Sequence, residues 1–409
     1  MRTKTYGVKY IGSKDKLIPY IEEAIKKLPN IKSAIDVFTG TTRVAQAMKK
    51  MGIKVCSSDL SWASECYAGT FIANRDNTHL QQYIDELNNI EPTEGWLTKN
   101  YCDTKADGNV VRVWQRKNGM KADAIRDRIS ELKLSVWETT TLITALIFAL
   151  DAVDNTVGVQ QAYLKDWCKR SYNDLALKLP VAPDGPRGDH ITGDALTNKY
   201  SKADVAYLDP PYSAHSYATY YHIWDSIAKW DKPEVGLKTN RRVDRISKLE
   251  GFDAGMTSAW NKKKEALDAT IKLIDRLPVK YIVLSYNDEG LIEQEALFNA
   301  LKAYKNVDIQ TIDYKRNIMS SIGNATKYQD KFDTANKEFV IVIEKWPDIV
   351  KSNMKQLTPT KINKEKTMSK KSSTKQTVRR SSKTGQFVTK KFAETHKSTT
   401  ETQHIKKQG

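Results

Sequence analysis

Cysteine is scarce: Cys56, Cys66, Cys102 and Cys168 are the four in 409 residues. They are too few and too widely spaced for a disulfide framework, and no CxxC or HxxxH pair offers a zinc site. A reducing compartment and no bound metal are therefore expected. Long apolar runs are missing too. The longest, around Leu142 to Leu150, is far short of a membrane span, and Met1-Arg2-Thr3-Lys4 leads into a mixed stretch without the apolar centre of a signal peptide. A soluble, cytoplasmic protein with no membrane association is the expectation. Acidic residues are scarce in one region: residues 351–409 hold sixteen basic and three acidic residues, whereas the first 350 hold fifty and forty-six. The formal charge of +17 is thus mostly a property of a tail. That tail has two aromatics, Phe387 and Phe392, cannot bury enough apolar area to offset its ordering entropy, and is expected to be disordered.

At about 150 residues per domain, the length predicts two or three domains. Short apolar runs of buried-strand length occur at Ala34–Phe38, Ile53–Cys56, Val205–Leu208, Tyr281–Leu284, Val307–Ile312 and Phe339–Ile343. Helical faces lie between several of them: Leu17, Ile18, Ile21, Ile25 and Leu28 on one, and Leu267, Ile271, Ile274 and Leu277 on another. Strand alternating with helix predicts an α/β fold with a mostly parallel sheet covered on both faces. Residues 76–199 break the rhythm with helices and no convincing strands. Ile125, Ile129 and Leu132 mark one amphipathic helix, Trp137–Val153 a buried one and Tyr163–Leu179 a third, before Pro180–Gly188 loops back to the sheet. The reading is one domain over 1–349 with a helical insertion over 76–199, then a basic tail over 350–409.

Two constellations carry chemistry. Asp36-Val37-Phe38-Thr39-Gly40-Thr41 closes the first strand, and Asp59 closes the second, nineteen residues after Gly40. In open α/β sheets ligands bind beyond the carboxyl ends of strands, where a glycine admits close approach and an acid accepts from ribose hydroxyls. One glycine makes a poor pyrophosphate cradle, so a nucleoside fits better. Asp209-Pro210-Pro211-Tyr212 directly follows the strand Val205–Leu208. Its two prolines fix φ and remove two N–H donors, which stiffens the turn and leaves carbonyls free. Such a site suits a planar base bearing an amino group: Asp209 and the Pro210 carbonyl accept its two N–H bonds while Tyr212 stacks on its face.

The order Lys9-Tyr10-Ile11-Gly12-Ser13-Lys14, Asp36-Val37-Phe38-Thr39-Gly40, Ser58-Asp59-Leu60, a long insertion, then Asp209-Pro210-Pro211-Tyr212 resembles the DNA adenine methylase family, N6-adenine methyltransferases of alpha-group motif order. The resemblance runs from about residue 5 to 345. It implies a Rossmann-like seven-stranded methyltransferase sheet, S-adenosylmethionine as cofactor, double-stranded DNA as substrate and, as a further partner, a cognate restriction endonuclease. It places Tyr10 and Lys14 as the aromatic and basic contacts of the cofactor pocket, with Asp36, Phe38 and Gly40 in its first loop. Asp59 would hold the ribose and Asp209 would stand between methyl donor and target amine. Asp194–Leu196, Tyr217, Tyr221 and His222, and Ser285-Tyr286-Asn287 also look like family features. Two positions depart from the pattern: Thr42 stands where the family commonly has a second glycine, and Tyr10 where it often has Trp.

The chemistry follows from the amine. Its lone pair is delocalised into the ring, and accepting both hydrogens at Asp209 and Pro210 favours a tetrahedral nitrogen that attacks a sulfonium methyl in line; alignment supplies much of the rate. The base must first leave the duplex stack, at a cost of a few kcal/mol. An N4-cytosine methyltransferase, which more often has Ser at the Asp209 position, and a catalytically silent DNA-binding protein are the competing readings; intact Asp209 and Tyr212 argue against the second. Arg241, Arg242 and Arg245 are candidate phosphate contacts, and His215 and His222 lie near the catalytic turn. Trp114, Trp137 and Trp167 read as core. Arg379-Arg380-Ser381-Ser382-Lys383 in the tail is a candidate for nonspecific DNA contact by counterion release.

Overall fold

The computed structural model describes residues 3–73, 76–104, 108, 110–160, 162–214, 216–246, 248, 252–314, 336–347, 375–381 and 400–406. The chain divides into two compact units, residues 1–350 and 351–409. The first is built on one sheet of seven strands: β1 (Ser33–Asp36), β2 (Lys54–Asp59), β3 (Asp189–Thr192), β4 (Ala203–Leu208), β5 (Val279–Asn287), β6 (Asn306–Tyr314) and β7 (Asn336–Glu344), in the order β3-β2-β1-β4-β5-β7-β6. The first five run parallel, and β7 inserts antiparallel between β5 and β6.

Alternation along the strands serves two cores. Ala34, Val55, Val205, Tyr207 and Val283 point to one face; Ile35, Ala206, Leu208, Ile282 and Leu284 point to the other. Being buried on both sides, these strands read as continuous apolar runs rather than alternating ones, and six of the seven are visible in the sequence for that reason. The strand β3, Asp-His-Ile-Thr, was not among them. It lies at the sheet edge with every residue at least partly exposed, so it needs no apolar run, and it falls inside the interval read as helical insertion.

Helices α1 (Ile18–Lys26), α2 (Arg43–Lys50) and α3 (Trp62–Phe71) follow in the first half. The insertion adds α4 (Gln81–Asn88), α5 (Trp96–Tyr101), α6 (Arg116–Glu131) and α7 (Val136–Val153). It shares the core of the sheet's first face rather than building one of its own. The helix α7 starts at a capping box, Ser135 with Glu138, and is apolar all round because its neighbours cover most of it. By length and composition it would cross a membrane, yet 61% of it is buried inside the fold. It lies close to α3, where a Cβ on Gly69 would come within 2.3 Å of Thr140 Oγ1. Trp114 is fully buried, its Nε1 donating to Leu150 O at 2.9 Å, whereas Trp137 and Trp167 are half-buried.

Two further expectations for the insertion are corrected. Residues 102–104 and 110–112 form an antiparallel pair. Tyr163–Leu179 is not a helix beyond one 3-10 turn at Lys169–Tyr172. It is a strap whose backbone is held by side chains of distant asparagines. Asn155 bonds Leu164 O and Cys168 N, Asn118 bonds Asn173 O and Leu175 N, and Asn88 bonds both N–H and C=O of Leu177. Partners for backbone groups outside a helix remove the need for one.

Beyond the catalytic turn come α8 (Tyr217–Tyr220), α9 (His222–Lys229), α10 (Ala266–Arg276) and α11 (Gln294–Leu301). The last two pack on the sheet's second face. In the second unit, Lys375–Ser381 pairs antiparallel with Thr400–Lys406 over seven residue pairs. A tail poor in apolar residues predicts no such ladder. The ladder is made of backbone groups, and a lone strand pair is marginally stable in water.

Candidate active site

The strand order reverses between β1 and β4, so their carboxyl ends open a crevice. A cleft there encloses about 1010 Å³ of empty space and is lined by the loops after β1, β2, β3 and β4. Tyr10, Phe38, Gly40, Asp59, Asp209, Pro210, Pro211 and Tyr212 all face it. Asp36 and Lys14 do not line it; each sits behind a residue that does.

After β1 the loop turns sharply under Asp36. Its Oδ2 accepts from Thr39 Oγ1 at 2.7 Å, and burial pushes its carboxyl up to about 7. Thr39 N–H donates to Ser58 O at 3.0 Å, which ties this loop to β2. Gly40 has φ +50°, and a Cβ there would meet Tyr10 Cε1 at 3.4 Å. Its N–H donates to Asp59 Oδ2 at 2.8 Å, while Asp59 Oδ1 accepts from Ser61 N at 2.9 Å. Burial pushes the Asp59 carboxyl up to about 6, against these backbone bonds. Thr42, in the position of the missing glycine, adopts φ +61° and is fully buried, its Oγ1 accepting from Gln46 Nε2 at 2.9 Å.

The N-terminal segment crosses the cleft on a stack of tyrosines. The Tyr10 ring lies 4.2 Å from Tyr221 and 5.4 Å from Tyr217, and the Tyr221 hydroxyl accepts from Ile11 N at 2.6 Å. Phe38 meets Trp260 edge-on at 4.9 Å.

At the end of β4, Asp209 Oδ1 takes two partners: Lys14 Nζ at 3.0 Å and the Tyr212 hydroxyl at 2.5 Å. Burial raises the Asp209 pKa, with Lys14 and then Tyr212 opposing. Lys14 Nζ also lies over the Tyr212 ring at 4.6 Å, and Tyr286 meets that ring edge-on at 5.0 Å. Ser285, one residue earlier on β5, accepts from the Tyr207 hydroxyl at 2.9 Å. Asp194 and Ala195 reach the cleft from the loop after β3, where Asp194 Oδ1 accepts from Leu196 N at 2.8 Å.

Several expectations about neighbouring charges are corrected. Arg242 is 1% exposed and spends its guanidinium on Asp231, Asp244 and Ser226, so it is no phosphate contact. Arg245 is also buried, beside Asp244, and both guanidiniums lie 5.4 Å from the Trp62 ring. Arg241 is half-buried. His222 is buried in the core, where desolvation and then the charge of Arg242 push it down to about 3, so it is neutral and away from the cleft. His215 lies outside the described residues.

Sequence reasoning missed Asp225 and Trp260. Asp225, on α9 four residues after Tyr221, lines the cleft and accepts from Ser61 Oγ at 2.6 Å, so it braces the loop behind Asp59. Trp260 comes from a 3-10 turn at Ala259–Asn261 with no motif to signal it.

An open sheet of this order, with an acid ending its second strand and Asp-Pro-Pro-Tyr ending its fourth, defines an α/β fold of the methyltransferase kind. Within that class the chain belongs to the D12 class N6 adenine-specific DNA methyltransferase family, whose model matches residues 10–300. It is 32% identical to the modification methylase StsI of Streptococcus sanguinis over 355 residues, covering 81% of this chain and 50% of that protein. It is 28% identical to the type II methyltransferase M.NlaIII of Neisseria lactamica, covering 82% of this chain and 99% of that one. With M.FokI of Planomicrobium okeanokoites it shares 28% identity, over 73% of this chain and 47% of the relative. The chain thus spans about half the length of two of these relatives and nearly all of the third. Enzymes of the family use S-adenosylmethionine and act on DNA.

Proposed function

We propose that this protein transfers a methyl group from S-adenosylmethionine to the N6 amino group of adenine at a specific site in double-stranded DNA. The observation that carries the reading is the meeting of two loops in one cleft at the β1/β4 switch point: Gly40 tied to Asp59, and Asp209 held at the head of a proline-stiffened turn.

The residues on the first side suit a nucleoside. The ring of Tyr10 gives a flat apolar surface, the lack of a Cβ at Gly40 keeps the loop close to it, and the Asp59 carboxylate has lone pairs left to accept from ribose hydroxyls. Asp36 shapes that loop from below. When bound, S-adenosylmethionine supplies the electrophilic methyl group. On the second side, Asp209 Oδ2 and the Pro210 carbonyl accept from the target amine, Pro211 keeps the turn rigid, and Tyr212 packs on the base. Lys14 and Tyr212 occupy Asp209 Oδ1 and so orient the carboxylate before a base arrives. The closed walls exclude water from the amine.

The same reading extends to the rest of the chain. The helical insertion at 76–199 is the region proposed to recognise DNA sequence, the basic tail adds nonspecific phosphate contact, and the protein acts in the cytoplasm. A cognate endonuclease is a proposed partner, in line with relatives named as modification and type II methyltransferases. Single-molecule sequencing of DNA from cells expressing the protein tests the activity: N6-methyladenine at one recurring motif is expected. Its absence, or modified cytosine instead, overturns the reading.

A further inference from the structure

The end of β5 and the start of β7 hold two polar atoms that nothing above employs. Asn287 and Glu338 are register partners on these antiparallel strands. Asn287 Oδ1 and Glu338 Oε2 are both shut off from solvent, and neither has a hydrogen-bond partner among the described residues. Buried polar atoms are nearly always paired, so two orphans on facing strands mark a place for a missing partner.

Their place is beside the catalytic turn. Tyr286, next to Asn287, packs edge-on against Tyr212, and Leu291 N–H donates to Tyr212 O at 2.9 Å. The Glu338 carboxyl feels the charges of Lys14, Asp209 and Asp288, and in turn acts on the hydroxyls of Tyr207, Tyr212 and Tyr217. A base packed on Tyr212 with its amine at Asp209 would bring its ring edge towards this pair.

We propose that Glu338 and Asn287 form the ring-edge side of the target-base subsite, with neutral Glu338 donating a hydrogen bond to a ring nitrogen of the adenine. The inference rests on the N6-adenine reading above. An adenine amine is flanked by two acceptors, N1 and N7, so an ionised carboxylate beside either repels the base while a neutral carboxyl binds it. Burial pushes Glu338 up to about 7; Lys14 opposes this, and Asp209 and Asp288 add to it. The neutral form is therefore available near neutral pH and is lost as pH rises through that value. The amide of Asn287 can turn to present either a donor or an acceptor beside it.

The test compares wild type, Glu338→Gln and Glu338→Ala on duplexes carrying adenine, 1-deazaadenine or 7-deazaadenine at the target position. Gln keeps a donor but cannot ionise. On adenine, kcat/KM of the Ala variant should fall roughly tenfold while the Gln variant keeps most of its activity. On one of the two deaza substrates the Ala penalty should vanish, because the acceptor is gone. Wild-type activity should decline as pH rises above about 7, and that decline should be absent from Glu338→Gln. Gln as impaired as Ala, an Ala penalty unchanged on both deaza substrates, or a loss of S-adenosylhomocysteine affinity in the Gln variant would each overturn the proposal. Methyl transfer surviving in Asp209→Ala would instead overturn the N6 reading on which it rests, whatever the Glu338 variants do.

Discussion

Lys14 Nζ stands 3.0 Å from Asp209 Oδ1, and its side chain is 5% exposed. This buried cation offsets the desolvation that raises the Asp209 pKa, and so keeps the carboxylate ionised to accept from an amine. Lys14→Met removes the offset. The Asp209 pKa then rises further, and the acid limb of kcat/KM moves to higher pH, with roughly tenfold or greater loss at pH 6. A pH profile on a cognate duplex checks it; an unmoved acid limb would place Lys14 elsewhere in the mechanism.

Asp209→Ala should abolish transfer while leaving S-adenosylhomocysteine affinity largely intact, because the side chain faces the amine. Asp209→Asn should be nearly as damaging, since its amide offers a donor where an acceptor is needed. The loss should reach about a hundredfold or more, as for other charge-placing groups in closed sites. Single-turnover kinetics with labelled methyl donor give the answer, and near-wild-type rates in Asp209→Ala would falsify the catalytic assignment.

Tyr212 has two roles to separate. Its ring packs on the base, and its hydroxyl donates to Asp209 Oδ1 at 2.5 Å, which lowers the carboxyl pKa. Tyr212→Phe keeps the ring and should show chiefly a shifted acid limb. Tyr212→Ala should also lose the stacking, about 1 to 3 kcal/mol. Fluorescence of 2-aminopurine at the target position distinguishes them: equal flipping signals from Phe and Ala would rule out stacking.

Asp59 makes cofactor affinity depend on pH. Burial pushes its carboxyl up to about 6, so the group gains a proton and stops accepting from ribose as pH falls through that value. Binding of S-adenosylhomocysteine to wild type should weaken on acidification below pH 6. In Asp59→Asn it should be weaker throughout and nearly flat with pH. Calorimetry measures both curves, and parallel curves would exclude Asp59 as the titrating group.

Deleting residues 351–409 should leave sequence preference unchanged and weaken DNA binding overall, since phosphate contacts do not read bases. If four of its cations touch phosphate, the slope of log K against log salt shrinks by about 3.6. Matching slopes for full-length and truncated protein would leave the tail without a DNA role.

Much of the site was legible because it is local. Asp209-Pro210-Pro211-Tyr212 is a rigid turn written in consecutive residues, and Gly40 with Asp59 marks two strand ends at a readable spacing. The buried strands showed as apolar runs because a sheet covered on both faces tolerates no alternation. By itself, then, the sequence determined the α/β class, the two loops and the kind of chemistry they suit. Only the tertiary structure decided what those loops meet. The half-exposed edge strand β3 carries no apolar signature, and the strap over residues 163–179 depends on Asn88, Asn118 and Asn155, whose bonds span distant parts of the chain. Arg242 and Arg245 look like a surface cluster in one dimension and are buried once Asp231 and Asp244 compensate them. Asn287 and Glu338 are fifty-one positions apart and face each other only because β7 inserts beside β5. Turn chemistry and period are set by neighbours along the chain, whereas charge compensation and orphaned polar atoms exist only where folding brings distant residues into a space without water.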